Sequence, residues 1–207
     1  MDLHTSRVLL AIAVGVAALA PSHGSAQLST TRGVSLGVHV QGTSLSVEGN
    51  DAHGGGGLGV QLGYGFNRIV TGFIQLDGSR IDIPVDEQGS ITGDWALAHA
   101  ELGVRFHFAN SLRRWVPYVE TSLGSRAVSV KNAEVRGQTA NDISFSGGAF
   151  TFGTGLSAYL KETMALDVSL KWTGGEFTKI DVGNLAIKNL EVDANSFRFG
   201  LGIVWWP

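Results

Sequence analysis

Phe197-Arg198-Phe199-Gly200-Leu201-Gly202-Ile203-Val204-Trp205-Trp206-Pro207 ends the sequence with Phe, Phe, Leu, Ile and Trp on alternate positions. Side chains of a β-strand point alternately to its two faces, so the odd positions form one continuous apolar stripe. The even positions carry Arg198, two glycines, Val204 and Trp206. This is a strand with one wholly apolar face, and the rest of the chain repeats the pattern.

Seven earlier segments alternate in the same way. Val34, Leu36, Val38 and Val40 oppose Ser35, Gly37, His39 and Gln41, and then Leu58, Val60, Leu62, Tyr64 and Phe66 oppose Gly59, Gln61, Gly63 and Gly65. Val70, Gly72, Ile74 and Leu76 stand against Thr71, Phe73, Gln75 and Asp77, with Phe73 an apolar exception. The longest stripe is Ala96, Ala98, Ala100, Leu102, Val104, Phe106 and Phe108 against Leu97, His99, Glu101, Gly103, Arg105 and His107. Val119, Thr121, Leu123 and Ser125 then oppose Tyr118, Glu120, Ser122, Gly124 and Arg126. Phe150, Phe152, Thr154, Leu156, Ala158 and Leu160 oppose Ala149, Thr151, Gly153, Gly155, Ser157 and Tyr159. Met164, Leu166, Val168, Leu170 and Trp172 oppose Ala165, Asp167, Ser169 and Lys171.

The connectors between these segments alternate in length. Short ones fall at Asn67-Arg68, at 109–114 and at Lys161-Glu162-Thr163, and long ones at 42–57, 78–94, 128–145 and 173–195. An even strand number, segments of about ten residues and short turns on one side with long loops on the other describe an outer-membrane barrel. The expected fold is all-β: an eight-stranded antiparallel up-and-down transmembrane β-barrel. Its N- and C-termini fall on the short-turn, periplasmic side, and the final strand pairs with the strand over 34–40.

Alternation alone also fits a soluble barrel turned the other way, with the apolar stripe inside. Side-chain size separates the two. The mixed face carries Gly37, Gly59, Gly63, Gly65, Gly103, Gly124, Gly153, Gly155, Gly200 and Gly202. Eight strands enclose only enough room for side chains, so glycines belong on the crowded inner face. That face also holds Asp77, Glu101, Glu120 and Asp167 with Arg105, Arg126, Lys171 and Arg198. Desolvating each ion costs several kcal/mol, so an interior network of ion pairs is expected. Tyr64, Phe66, Phe106, Phe108, Trp115, Trp172 and Trp205 lie near strand ends, where outer-membrane barrels carry aromatic girdles.

The N-terminus supplies the route out of the cytoplasm. Arg7 precedes the apolar run Val8 to Ala20, followed by Pro21-Ser22-His23-Gly24 and the small residues Ser25-Ala26. This is a cleavable secretory signal over 1–26. Its apolar core of about 13 residues is shorter than the roughly 20 a membrane helix needs. The mature chain, 27–207, begins near Gln27 and forms one barrel domain.

Composition removes several classes. There are 29 glycines against 4 prolines, and no cysteine for disulfides or thiolate metal sites. The formal charge is −3, and losing Asp2 and Arg7 with the signal leaves it unchanged. A chain without a basic surplus has no electrostatic footprint for nucleic acid.

The sequence resembles the eight-stranded outer-membrane barrel family of OmpA transmembrane domains, OmpX and OmpW across the mature chain. The resemblance rests on the signal, Val116-Pro117-Tyr118-Val119-Glu120, Gly153-Thr154-Gly155-Leu156 and the aromatic-rich last strand. It implies outer-membrane lipid and lipopolysaccharide as surroundings and the outer-membrane assembly machinery as a partner. That machinery would read Phe197, Phe199, Leu201, Ile203 and Trp205 as an assembly signal. The family usually ends on an outward aromatic, whereas Pro207 holds that place here, leaving Trp205 as the substitute. No peptidoglycan-binding domain follows, unlike full-length OmpA.

Motifs for catalysis do not survive their context. Gly33-Val34-Ser35-Leu36-Gly37 matches the G-x-S-x-G elbow and His53-Gly54-Gly55-Gly56 resembles an oxyanion-hole segment, but the elbow needs a strand-to-helix turn and alternation runs straight through Ser35. Gly54, Gly56 and Gly59 satisfy G-x-G-x-x-G with no helix after them, which fits a flexible external loop. His39, His99 and His107 lack metal-ligand spacing and read as hydrogen-bonded interior residues. Asp142, Asp181, Glu191 and Asp193 fall in the long loops, where acids meet solvent, divalent cations or a partner. No catalytic, cofactor or metal residues are assigned. The expected function is a noncatalytic barrel serving envelope integrity, adhesion or partner binding through four external loops. The alternatives are a narrow passage for small solutes and a lipid A-modifying enzyme.

Overall fold

Each stripe becomes a strand because pairing on both sides satisfies the backbone amides of the ladder while the apolar face turns away from the polar interior. The computed structural model describes residues 31–47, 52–83, 91–108, 114–135, 138–139, 143–182 and 185–207. The signal segment and the start of the mature chain lie outside these residues. The strands are β1 (Gly33–Val47), β2 (His53–Gly65), β3 (Val70–Ile81), β4 (Ile91–His107), β5 (Trp115–Val135), β6 (Gln138–Thr139), β7 (Ile143–Lys161), β8 (Met164–Val182) and β9 (Leu185–Trp205). Among the described residues there is no helix.

All pairings are antiparallel, and they run β1–β2–β3–β4–β5–β7–β8–β9 and back to β1. The last step closes the ring, since β9 pairs with β1 from Leu36↔Trp205 to Val47↔Ala194. The result is the expected eight-stranded barrel, with one addition. The two-residue β6 pairs only with the end of β5, through Glu134↔Thr139 and Val135↔Gln138.

One end is built from tight turns. Between β2 and β3, Asn67 Oδ1 accepts hydrogen bonds from the amides of Ile69 (2.7 Å) and Val70 (2.8 Å), the side chain standing in for a backbone turn. Between β7 and β8 only residues 162–163 leave the ladder. This end is the floor of the barrel.

At the other end the expected boundaries are corrected. Most of the described residues of the stretches 42–57, 78–94, 128–145 and 173–195 are strand, not loop: β1 runs to Val47, β3 to Ile81, β5 to Val135 and β8 to Val182. Gly54, Gly56 and Gly59 lie within β2 rather than in a flexible loop. The strands continue because the inside and outside exchange polarity. In the lower barrel Val38, Leu58, Leu102 and Leu201 point out and polar residues point in. Higher up, with no break in the in–out alternation, Leu45, Ile81, Leu97, Val128, Phe177 and Ala194 point in and pack into one apolar cluster. Arg80, Lys131, Glu176, Thr178 and Asp193 now face out and are exposed. The barrel is therefore an inverted protein over its belt and an ordinary water-soluble one over its upper crest, where apolar burial inside supplies the usual drive.

Candidate functional site

Polar inward residues of the belt converge on the lumen and form two linked clusters. The upper one is centred on Arg198 of β9, which is 1% exposed. Its Nη1 pairs with Asp77 Oδ2 and its Nη2 with Glu101 Oε1, while Nη2 also donates to Thr173 Oγ1 at 2.7 Å. Asp77 further accepts from Gln75 Nε2 (2.7 and 3.0 Å) and lies 2.9 Å from His39 Nε2. Glu101 accepts from Ser122 and Thr151, each at 3.0 Å.

The lower cluster is centred on Glu120 of β5. Arg105 donates to its Oε2 from Nε (2.8 Å) and Nη2 (2.7 Å), and Lys171 Nζ lies 2.5 Å from its Oε1. Asp167 lies 3.6 Å from Arg105 Nη1 and accepts from Tyr118 (2.7 Å) and Ser157 (2.7 Å). The Tyr118 ring also stacks 3.8 Å from the Arg105 guanidinium. Gln75 joins the clusters, donating to Asp77 and accepting from Lys171 Nζ at 2.6 Å. Beside it lies a polar hollow lined by Gln61, Gln75, Arg105, Asp167, Ser169 and Lys171, with about 20 Å³ of space for water. That is room for about one molecule.

The inner glycines make this crowding possible. A Cβ on Gly59 would run into Asp77 Oδ1 and His39 Nε2, and one on Gly155 into the Tyr118 hydroxyl. Below the charged tier, Val116, Tyr159, Ala165, Val204 and Trp206 form an apolar floor, with Tyr159 and Trp206 stacked at 5.3 Å. Above it sits the apolar crest cluster. The lumen is thus filled in three tiers, apolar, charged and apolar.

Seven of the eight inner-face ions read from the sequence meet in these pairs. Arg126 departs from that expectation: among the described residues no carboxylate lies within ion-pair distance, and its Nη2 donates instead to the backbone carbonyls of Gly175 (2.8 Å) and Ala194 (2.9 Å). His39, His99 and His107 all point inward, His99 Nε2 lying 3.5 Å from Ser196 Oγ and His107 Nε2 3.2 Å from Thr71 Oγ1. The neutral partners Gln75, Tyr118, Ser122, Thr151, Ser157 and Thr173 were not singled out as site residues. Their inward parity was the available signal. Ser35 sits in the ladder opposite Gly63 with no elbow. Asp181, Glu191 and Asp193 are in strands rather than loops, Asp181 paired with Lys179 at 2.7 Å, and Asp142 lies outside the described residues. Among the described residues no group of three His, Asp or Glu is placed to hold a metal ion. Phe197, Phe199, Leu201, Ile203 and Trp205 all point outward, as do Tyr64, Phe66, Phe106, Phe108, Trp115 and Trp172.

Residues 7–204 match the family described as outer membrane protein beta-barrel domain. The chain belongs to that family. No curated protein sequence matches it. Among solved structures it is similar to Neisserial surface protein A, at 15% identity over 83% of this chain and 96% of that one, with a TM-score of 0.62. It is also similar to Ail, the attachment invasion locus protein of Yersinia pestis (16% identity, 84% and 100% covered, TM-score 0.53). A third is OprG of Pseudomonas aeruginosa (11% identity, 86% and 97% covered, TM-score 0.53). Identities this low show the shared barrel fold. With the family established, the exposed apolar belt is the transmembrane surface, and the molecule is an outer-membrane protein. Val38, Leu58, Leu102 and Leu123, each at least 60% exposed to solvent in the isolated chain, are covered by hydrocarbon in place.

Proposed function

We propose that this outer-membrane barrel is a noncatalytic anchor that holds its crest hairpins outside the cell for envelope integrity, adhesion or partner binding. The observation that carries this reading is the sealed lumen. A solute entering from the crest would have to part Leu45, Ile81, Leu97, Val128, Phe177 and Ala194, then an ion-pair network, then the Trp206 floor. An eight-stranded barrel has room only for such side chains.

The height of the hairpins supports the display reading. β8 and β9 pair with each other up to Val182↔Leu185, far beyond the last β1–β9 pair, Val47↔Ala194. Glu176, Thr178, Lys188 and Asp193 are exposed on this hairpin, as a water-facing surface requires, with Ile187 an exposed apolar exception. In this orientation the floor and both termini face the periplasm, consistent with short turns on that side. The surrounding partners would be outer-membrane lipid and lipopolysaccharide, and the assembly machinery would meet the outward Phe197, Phe199, Leu201, Ile203 and Trp205.

Single-channel recording in planar bilayers tests the proposal against solute passage. The tiered lumen predicts a baseline without steady openings at moderate voltage. Large, sustained openings from the purified barrel would overturn it.

A further inference from the structure

We propose that Arg126 is a latch that ties the β8–β9 crest hairpin to β5, across the intervening β7. The inference rests on the display reading only for its importance, since a mobile hairpin would present a different surface from a fixed one. Its physical basis is independent of that reading.

Arg126 is on β5, whereas its two acceptors are on β8 and β9. In the ring, β7 separates β5 from β8, so the inward side chain reaches past its neighbouring strand to the next two. Gly175 and Ala194 are cross-strand partners, so one guanidinium nitrogen grips both strands of the hairpin at a single rung. That rung is the root of the crest. Above it, β9 has no partner on the β1 side among the described residues, because the β1–β9 ladder ends at Val47↔Ala194. On the other flank the β7–β8 register is irregular between Ser146 and Phe150, opposite 174–179.

The root is therefore a weak point in the wall, and the local backbone has the form of a hinge. Gly175 adopts φ +151°, a conformation that residues with a Cβ rarely take. A second register irregularity falls between Phe177 and Lys179 on the same hairpin. Arg126 holds the hinge and the residue above it: the guanidinium bonds the Gly175 and Ala194 carbonyls, and the Phe177 ring lies 4.7 Å from the guanidinium carbon. Phe177 in turn meets Phe145 of β7 edge-on at 6.3 Å. Hydrogen bonds from a charged donor are about twice as strong as neutral ones, so two of them on one rung hold it firmly.

The burial of Arg126 without a carboxylate partner fits this role. It is 1% exposed, and its Nε and Nη1 have no hydrogen-bond partner among the described residues. A group placed only to balance charge would sit against an acid, as Arg105 and Arg198 do. Arg126 sits against carbonyls.

Hydrogen–deuterium exchange of the full barrel in lipid bilayers tests the latch, comparing wild type with Arg126→Met and Arg126→Lys. In Arg126→Met the amides of 176–193 should exchange at least about tenfold faster, because opening the hairpin no longer breaks two charge-assisted bonds. Belt amides in 34–40 and 199–205 should be unchanged. Arg126→Lys keeps the charge and the stem but cannot grip as a planar fork, so its crest should exchange at an intermediate rate. It also serves if the methionine variant does not fold. Crest exchange equal to wild type in the variants that fold would overturn the latch, and so would equal acceleration of crest and belt. A conducting barrel with the expected exchange pattern would sink the display reading and leave the latch standing.

Discussion

Replacing Arg198 with methionine should destabilise the barrel by about 3–5 kcal/mol, the range for breaking a buried ion pair by removing one partner. Arg198 is the only cation in contact with both Asp77 and Glu101 among the described residues, and all three side chains are at most 1% exposed. Without it, Glu101 keeps, among the described residues, the hydroxyls of Ser122 and Thr151, and Asp77 keeps His39 and Gln75. Two carboxylates would then share a desolvated site. The check is the urea midpoint of the barrel in lipid vesicles, read with the slope to confirm two-state behaviour. Adding Asp77→Asn and Glu101→Gln to Arg198→Met should recover most of the loss, because the penalty comes from stranded charge and not from the absent guanidinium. A loss below about 1 kcal/mol in the single variant would place the network in a hydrated setting, as surface pairs of that size are.

Phe177→Ala should cost a comparable amount, about 3–5 kcal/mol, as phenylalanine truncations in packed cores do. Phe177 is 3% exposed and belongs to the cluster that caps the charged tier from above. Its ring also covers the Arg126 guanidinium and meets Phe145. Truncation opens a cavity and removes both contacts. Phe177→Leu, which restores much of the volume, should recover more than half of the loss in the same urea titration. If alanine and leucine behave alike and both cost little, the crest interior is not the packed core described here.

The belt was legible in the sequence because lipid and a crowded lumen impose opposite demands on alternate residues. The eight stripes, the inward glycines and the closure of the last strand on the first all follow from that contrast. The crest was not legible for a related reason. Where strands leave the membrane, the apolar residues move from the outward to the inward parity, as from Leu76 and Gly78 facing out to Ile81 facing in on β3, or Leu170 and Trp172 out to Phe177 in on β8. A one-residue shift of the stripe looks like the end of a strand, so in sequence alone the upper hairpins resemble loops.

The charged lumen was legible only in part. Alternation put eight ions on one face, yet the identity of partners depends on barrel height and on which strands face each other across the lumen. Arg126 shows the limit. It has the same inward parity as Glu120 on β5, but it stands three pleats higher, beyond the carboxylates, and its ligands are backbone carbonyls that carry no side-chain signature. Gln75, which joins the two clusters, shows only its inward parity in the sequence, since a neutral amide announces no partner.

One continuous wall faces lipid over the belt and water over the crest. Because the chain contains no cysteine, single cysteines can be introduced at Leu201 and Thr178 and spin-labelled without background. Collision with dissolved oxygen, which concentrates in hydrocarbon, and with a water-soluble nickel chelate should then be measured in vesicles. The label at 201 should meet oxygen and be shielded from nickel, while the label at 178 shows the reverse. Equal access of the nickel chelate to both positions would contradict it.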